Sequence, residues 1–216
     1  MAEDATTMLG DVARYYASKL EEHGTTARGV DWNGEASQTL RFDQLLRIVD
    51  VAGRFSIIDL GCGYGALLDY LDARGLEADY TGIDVSPEMA RAGARRFQGR
   101  TDADFICTTS VDREADYSVA SGIFNVRLER SDAEWRDYLE ATLDLLDAAS
   151  RRGFAFNCLT SYSDASKMRD DLYYADPCAL FDLCKRHYSK NVALLHDYGL
   201  YEFTILARKA PLRNHW

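Results

Sequence analysis

The stretch "IIDLGCGYG", residues 57–65, places three glycines at alternate positions directly after an apolar run. Glycine interrupts helices and strands and loses the most conformational entropy on folding, so such a cluster needs a structural reason. The usual reason is that another group approaches the backbone more closely than a side chain would permit. In parallel sheets, ligands bind beyond the carboxyl ends of the strands, which is where this turn is expected.

Apolar segments alternate with helical patterns on both sides of this turn. Strands are predicted at 54–60, 78–85, 103–109, 117–126 and 153–162, with helices between them, and 191–209 predicts a hairpin. Such alternation is typical of a doubly wound α/β sheet. The expected fold is therefore Rossmann-like, mostly parallel with an antiparallel C-terminal strand. Residues 1–53, with a second helix over 35–53, are predicted to form an N-terminal helical lid, and residues 54–210 the ligand-binding domain.

Composition excludes several classes of function. The 216 residues carry a formal net charge of −10, which disfavours binding to nucleic acid. The chain has neither a signal-peptide pattern nor an apolar run of about 20 residues, so no membrane association is expected. The five cysteines never show C-x-x-C spacing. We therefore expect reduced thiols, a cytoplasmic location and no bound metal.

A dinucleotide site is the first alternative for the glycine turn. Gly61, Gly63 and Ala66 satisfy the G-x-G-x-x-G/A spacing of that site. However, Asp59 would repel a pyrophosphate and would suit an ammonium group. Tyr15 and Lys19 have the Y-x-x-x-K spacing typical of short-chain dehydrogenases. Here, however, this pair precedes the glycine turn, whereas in those enzymes it follows the turn. A dehydrogenase is therefore the last choice.

Two consecutive motifs carry a more specific resemblance. "IIDLGCGYGALLDYL" followed by "YTGIDVSPEMARAGARRF" resembles the first two motifs of class I S-adenosylmethionine-dependent methyltransferases. The resemblance implies S-adenosylmethionine as the cofactor and a methyltransferase domain at 54–210. It implies that Asp59 and the glycine turn hold the methionine moiety, and that Asp84 bridges the two ribose hydroxyls. The cofactor-binding residues expected on this basis are Asp59, Gly61, Cys62, Gly63, Gly65, Asp84, Val85 and Met89, and the position of Ser121 after the fourth strand adds that residue. The segment after the third strand departs from the family pattern, because it lacks the acidic or amide residue that contacts the adenine amino group, so the hydroxyl of Thr109 or Ser110, or a backbone group, is expected to serve there.

The acceptor half of the site is predicted from position alone. Ser121, Phe124 and Asn125 end the fourth strand and are expected to face the methyl group, with Asn125 orienting the acceptor. His23 is the candidate general base. The substrate-binding residues expected from the lid, the fourth strand and the polar insertion at about 162–176 are Trp32, Arg41, Phe124, Tyr162, Arg169 and Tyr173.

The reaction expected from these features is methyl transfer to an oxygen or nitrogen of a small molecule by in-line displacement. Alignment of the nucleophile, the methyl group and the sulfur can supply most of the rate. Two alternatives stay open: a protein methyltransferase, and a non-catalytic S-adenosylmethionine-binding module. A homodimer is also left open.

Overall fold

A computed structural model describes residues 2–209, with side chains from residue 8 onward, so residue 210 of the predicted second domain lies outside it. Six α-helices flank one seven-stranded sheet in the described part of the chain. The helices are α1 (Ala2–His23), α2 (Glu35–Leu45), α3 (Ala66–Ala73), α4 (Pro87–Arg96), α5 (Asp132–Ala148) and α6 (Pro177–His187). The strands are β1 (Phe55–Leu60), β2 (Ala78–Asp84), β3 (Ala103–Cys107), β4 (Ala115–Ala120), β5 (Ser150–Leu159), β6 (Asn191–Leu195) and β7 (Glu202–Arg208).

The strand order is β3-β2-β1-β4-β5-β7-β6, with β1 near the centre. The pairs among β1 to β5 are parallel, whereas β7 runs antiparallel to both β5 and β6. This order confirms the predicted Rossmann-like fold with a reversed C-terminal strand. It also places the carboxyl ends of β1, β2 and β4 side by side at one edge of the sheet.

Helix starts follow the capping chemistry of the sequence. The Ser86 hydroxyl accepts a hydrogen bond from the Met89 N–H, and Pro87 occupies the first turn of α4. Ser131 and Glu134 form a complete capping box at the start of α5. These caps fix where each helix leaves the ligand-binding edge of the sheet.

Several predicted elements end earlier than expected, and α2 and β4 differ most from their predicted bounds. Helix α2 stops at Leu45 and continues as a 3-10 turn, Leu46–Ile48, instead of running to Gly53. Asp50, two residues after this turn, donates its N–H to the Tyr117 hydroxyl, which ties the chain to the sheet before β1. Strand β4 stops at Ala120, because Gly122 adopts a positive φ of 79° and turns residues 121–126 away from the strand direction.

The N-terminal segment shares its core with the sheet. Phe42, Leu45 and Ile48 are buried in the same cluster as Ile57 and Leu67. A second cluster lies on the other face of the sheet around Phe124, Leu143, Phe154 and Phe203. The division into a lid at 1–53 and a domain at 54–210 stays a prediction.

The connection from β3 to β4, residues 108–114, contains no helix. Parallel strands usually need a crossover of a dozen or more residues, most often helical. This connection has only seven residues, and Thr108 at its start donates a 3.2 Å hydrogen bond from its N–H to the carbonyl of Asp84, the last residue of β2.

Candidate active site

A cavity of about 520 Å³ opens at the carboxyl ends of β1, β2 and β4. One wall is the glycine turn with the end of β2. The second wall is formed by α1 and α5, and residues 27–33, here called the cover segment, close the third side through Val30 and Trp32. This volume lies within the usual range of small-ligand sites.

The three glycines of the turn all have positive φ angles, of 76° for Gly61, 55° for Gly63 and 86° for Gly65. A Cβ on Gly61 would lie 2.1 Å from Ile123 Cγ2, and one on Gly63 would lie 3.0 Å from Val30 Cγ1. The close approach is thus made by the protein's own side chains, while the backbone of these two glycines lines the cavity.

Gly65 has a different role from the other two glycines. It is the N-cap residue of α3, and a Cβ there would lie 2.8 Å from the rings of Phe97 and Phe105. It does not line the cavity. In this structure Gly65 serves the packing of α3 against two aromatic rings, and its expected contact with the cofactor stays a prediction.

Asp84 ends β2 and presents its carboxylate to the cavity. Oδ2 accepts a 2.8 Å hydrogen bond from the Gly63 N–H, and Oδ1 accepts one of the same length from the Ser86 N–H. Burial raises the pKa of this carboxyl to about 6, against the opposing effect of the two backbone donors. Both oxygens are thereby fixed in position, which suits a bidentate contact to two adjacent hydroxyls.

Asp59, near the end of β1, is only 3% exposed and accepts a 2.7 Å hydrogen bond from the Tyr80 hydroxyl. Burial, together with the nearby charge of Asp84, raises its pKa to about 7. Two buried carboxylates in one cavity are costly unless a cation compensates them. The pair therefore favours a positively charged ligand.

The other expected cofactor residues mostly meet at this cavity. Ser121 lines it, and its Oγ is a buried atom without a hydrogen-bond partner in the described structure. Burial raises the pKa of the Cys62 thiol well above its usual value, which favours the neutral thiol over the nucleophilic thiolate. The lining residues among the expected set are Asp59, Gly61, Cys62, Gly63, Asp84, Val85, Met89, Thr109 and Ser121. The donor set fits an adenosyl ligand with a cationic end.

Most expected acceptor residues lie elsewhere. Trp32 lines the cavity, but Arg41 is buried in an ion pair with Glu202. Phe124 is fully buried in the core cluster on the other face of the sheet. Asn125 accepts a 3.2 Å hydrogen bond from the Leu159 N–H, so its amide fastens a loop to β5 and does not face the cavity.

The remaining four candidates also lie outside the cavity lining. His23 ends α1 next to Glu22. Tyr162 is 68% exposed, and Arg169 forms an ion pair with Asp171. Tyr173 packs against the hydrophobic core. Local position along the chain was the basis for these expectations, and the fold does not bring these side chains to the cavity.

Helices α1 and α5 contribute lining residues that the sequence did not single out. Burial raises the pKa of Tyr138 to about 12 and raises that of Tyr16 well above its usual value. Helical periodicity marks these positions as inward-facing, but it does not distinguish a cavity from a core. The added lining residues include Met8, Val12 and Tyr16 of α1, Glu134, Asp137 and Tyr138 of α5, and Arg130, which precedes α5.

Comparison with known proteins decides the family. Residues 57–148 match a family model described as a methyltransferase domain. The chain is 80% identical over 165 residues, covering 76% of its own length and 99% of the relative's, to "Putative methyltransferase Rv1506c" of Mycobacterium tuberculosis (strain ATCC 25618 / H37Rv). The chain belongs to the class I S-adenosylmethionine-dependent methyltransferases. This confirms the resemblance found in the sequence, and S-adenosylmethionine is the cofactor of that family.

Solved methyltransferase structures share the fold at low sequence identity. The DhpI complex with S-adenosylhomocysteine has a TM-score of 0.63 at 16% identity, covering 94% of this chain and 98% of that one. The N-methyltransferase NodS from Bradyrhizobium japonicum WM9 has a TM-score of 0.62 at 17% identity, covering 89% and 96%. Human N-acetylserotonin methyltransferase has a TM-score of 0.59 at 16% identity, covering 95% and 66%.

Within residues 2–209, none of the helices combines the length and hydropathy that a membrane span requires. The same part of the chain contains no cluster of three or more His, Cys, Asp or Glu residues able to hold a metal ion.

Proposed function

We propose that this methyltransferase transfers a methyl group from S-adenosylmethionine to an oxygen or nitrogen of a small molecule by in-line displacement. The observation that carries the proposal is a single cavity with two different walls. The wall of Asp59 and Asp84 has the groups that an adenosyl cofactor requires. The wall of α1 and α5 opens onto the same space, and none of the proposed cofactor-binding residues lies on it.

The cofactor half follows from the fixed carboxylates. Asp84 binds the ribose diol, and Val85 and Met89 pack against the adenine. Asp59 and the backbone of Gly61 and Gly63 hold the methionine moiety. When bound, S-adenosylmethionine supplies an electrophilic methyl group on a positively charged sulfur, and two buried carboxylates stabilise that charge.

The acceptor half follows from the lining of α1 and α5. The charged residues among the described lining are Asp59, Asp84, Arg130, Glu134 and Asp137. Arg130 is already paired with Asp11 at 3.0 Å. An anionic acceptor would therefore meet no uncommitted cation, which favours a neutral or cationic acceptor. The apolar side chains of Met8 and Val12 suit the skeleton of such a molecule.

Catalysis in this cavity depends on the alignment of the acceptor atom, the methyl group and the sulfur. No histidine or lysine is among the described residues that line the cavity. The roles expected for His23 and Asn125 stay predictions, to be tested only after an acceptor is known. A small acceptor is favoured over a protein, because α1 and the cover segment enclose the cavity on two sides.

A cytoplasmic location also stays a proposal. It is supported by the cysteines, all five of which are free thiols in the structure. The proposal that the protein binds no nucleic acid is supported by the net charge of −10. Formation of a homodimer stays open.

Calorimetric titration with S-adenosylmethionine, S-adenosylhomocysteine and NAD tests the cofactor half. We expect micromolar binding of the two adenosyl ligands and its loss in Asp84→Asn. Asp79→Asn is the matched control, because Asp79 lies on the same strand with a side chain 59% exposed. Binding of NAD alone would contradict the proposal.

Transfer of radiolabelled methyl from S-adenosylmethionine in a cell extract tests the acceptor half. The extract is separated by ultrafiltration into small molecules and macromolecules. Label in the small-molecule fraction supports the proposal, and label on protein supports the protein-methyltransferase alternative. Cofactor binding without transfer to either fraction supports a non-catalytic binding module.

A further inference from the structure

The indole of Trp32 is seated on a glycine. A Cβ on Gly122 would lie 2.4 Å from Trp32 Cζ2, so any side chain there would displace the ring. Gly122 is itself fixed, because its N–H donates a 2.7 Å hydrogen bond to Oδ1 of the fully buried Asn157. The end of β4 thus offers a rigid flat seat for the indole.

The guanidinium of Arg41 covers the indole, with its carbon 3.9 Å from the ring centroid of Trp32. Its Nε donates a 2.7 Å hydrogen bond to Glu202 Oε2, and Nη2 donates one of 2.5 Å to Oε1. Nη1 donates to the Ser37 carbonyl at 2.8 Å. The guanidinium is thereby held in one plane, which stacking on an aromatic face requires.

This ion pair is buried, with the side chains of Arg41 and Glu202 7% and 1% exposed. Buried ion pairs seldom add stability over apolar residues of the same volume, so a stabilising role is a weak explanation for this pair. Its hydrogen bonds also leave the guanidinium no free fork for a ligand carboxylate. Both facts indicate a role in orienting a neighbour.

Val30 and Asp31 attach the same segment at two further points. Val30 lies over Gly63 of the glycine turn. Asp31 has a φ of 60° and accepts a 2.7 Å hydrogen bond from the Tyr15 hydroxyl of α1. A non-glycine residue in this left-handed region needs local contacts to hold it there. The cover segment is therefore held from the sheet and from α1, with Trp32 between the two.

We infer that Arg41 and Glu202 are positioning residues whose ion pair holds the indole of Trp32 against Gly122 as one wall of the methyl-transfer site. The inference rests on the proposed function for what the wall faces, but the placement of the indole can be tested without any ligand. It replaces substrate binding as the role of Arg41.

Acrylamide quenching of tryptophan fluorescence measures the placement. The Trp32 contribution is the difference between each protein and the same protein carrying Trp32→Phe. We expect Arg41→Met to raise the quenching constant of Trp32 about threefold and the dissociation rate of S-adenosylhomocysteine about tenfold, since the ring is no longer held over the cavity. Arg54→Met is the matched control, because its ion pair with Asp79 is exposed and lies at the opposite end of the strands.

Arg41→Met alone leaves Glu202 buried and unpaired, which is strongly destabilising. The double variant Arg41→Met, Glu202→Met removes both charges and restores an apolar contact. If the pair positions Trp32, the double variant regains the melting temperature of the wild type but keeps the high quenching constant. If the pair is merely structural, quenching returns to the wild-type value together with stability, and the inference is overturned.

Gly122→Ala provides an independent displacement of the indole, since it leaves the ion pair intact. It is expected to raise Trp32 quenching in the same way, and unchanged quenching would contradict the seat described above. A wild type that fails to bind S-adenosylhomocysteine would contradict the proposed function, whereas the quenching comparison would still decide the role of Arg41 and Glu202.

Discussion

Asp59 and Asp84 show how two identical side chains acquire special properties from their surroundings. Both are buried, and their pKa values are raised to about 7 and about 6. The hydrogen bonds from Tyr80, Gly63 and Ser86 oppose the effect of burial without cancelling it. Near neutral pH the cavity therefore changes its charge as these groups titrate.

This titration predicts a pH-dependent preference between the two adenosyl ligands. S-adenosylmethionine carries one more positive charge than S-adenosylhomocysteine, and ionised carboxylates favour it. We expect the ratio of their affinities to rise as the pH increases from about 5.5 to about 8. Calorimetry across this range measures the ratio in the wild type and in Asp59→Asn, in which the rise is expected to be smaller. An equal rise in both proteins would contradict the assignment of Asp59.

The packing of Gly65 against two aromatic rings can be tested by substitution. Gly65→Ala places a Cβ at 2.8 Å from two aromatic rings and forces alanine to a φ of 86°. We expect a loss of about 2–4 kcal/mol in the free energy of unfolding, measured with urea. Gly75→Ala has a φ of 64° but no atom within 4 Å of the added Cβ, so only the backbone cost of about 1–2 kcal/mol is expected. Equal losses in the two variants would mean that the aromatic rings yield without cost.

Helix α5 forms, together with α1, the cavity wall that is proposed to face the acceptor. Its capping box at Ser131 and Glu134 sets the first turn, and Trp135 in that turn packs against Met8 and Val12 of α1. The indole N–H of Trp135 also donates a 2.8 Å hydrogen bond to the Phe124 carbonyl. The start of one helix thus holds another helix over the cavity.

Removal of the cap is expected to weaken this arrangement. Ser131→Ala loses the hydrogen bond from the Glu134 N–H, which we expect to cost about 1 kcal/mol of stability. Differential scanning calorimetry measures the change, and Glu134→Gln is the control because an amide oxygen can still accept the return bond. A loss in Glu134→Gln as large as in Ser131→Ala would indicate that charge at the helix start, not the cap, is what matters.

Elements with local signals were predictable from the sequence. The starts of α4 and α5 depend on side chains within three residues of each helix, and the glycine turn follows its strand directly. The ends of α2 and β4 were not predictable, since they depend on Tyr117 and Gly122 meeting distant partners. The cavity wall proposed to bind the cofactor is likewise built from two contiguous motifs, whereas the wall proposed to face the acceptor is assembled from α1 and α5, which no local motif connects.

The buried carboxylates of Asp59 and Asp84 reduce the stability of the whole unliganded protein when they are ionised. The pKa of Asp59 is raised from 3.8 to about 7 in the folded protein. The contribution of the protonated Asp59 to the free energy of unfolding is therefore fully present below pH 3.8 and is lost as the pH rises through 7. We expect Asp59→Asn to be more stable than the wild type by about 2–4 kcal/mol at pH 8, with the difference shrinking toward pH 4.

Thermal unfolding between pH 4 and pH 8 measures this difference. Asp102→Asn is a control of opposite sign, because Arg100 lowers the pKa of Asp102 to about 2. Removal of that carboxylate is expected to cost stability above pH 4 and to cost progressively less as the pH falls below it. If the gap between Asp59→Asn and the wild type were constant with pH, Asp59 would have the same pKa in the folded and unfolded states, which would contradict the raised value.

The contact between Arg41 and Glu202 joins positions 161 residues apart. A ribosome adds about 5–20 residues per second, so roughly 10–30 s separate the synthesis of the two residues. During that interval the nascent chain already carries the glycine turn and both cofactor carboxylates, yet the arginine beside Trp32 has no counterion. The wall at Trp32 is therefore among the last features to be completed as the protein is made, only after the final strand has left the ribosome.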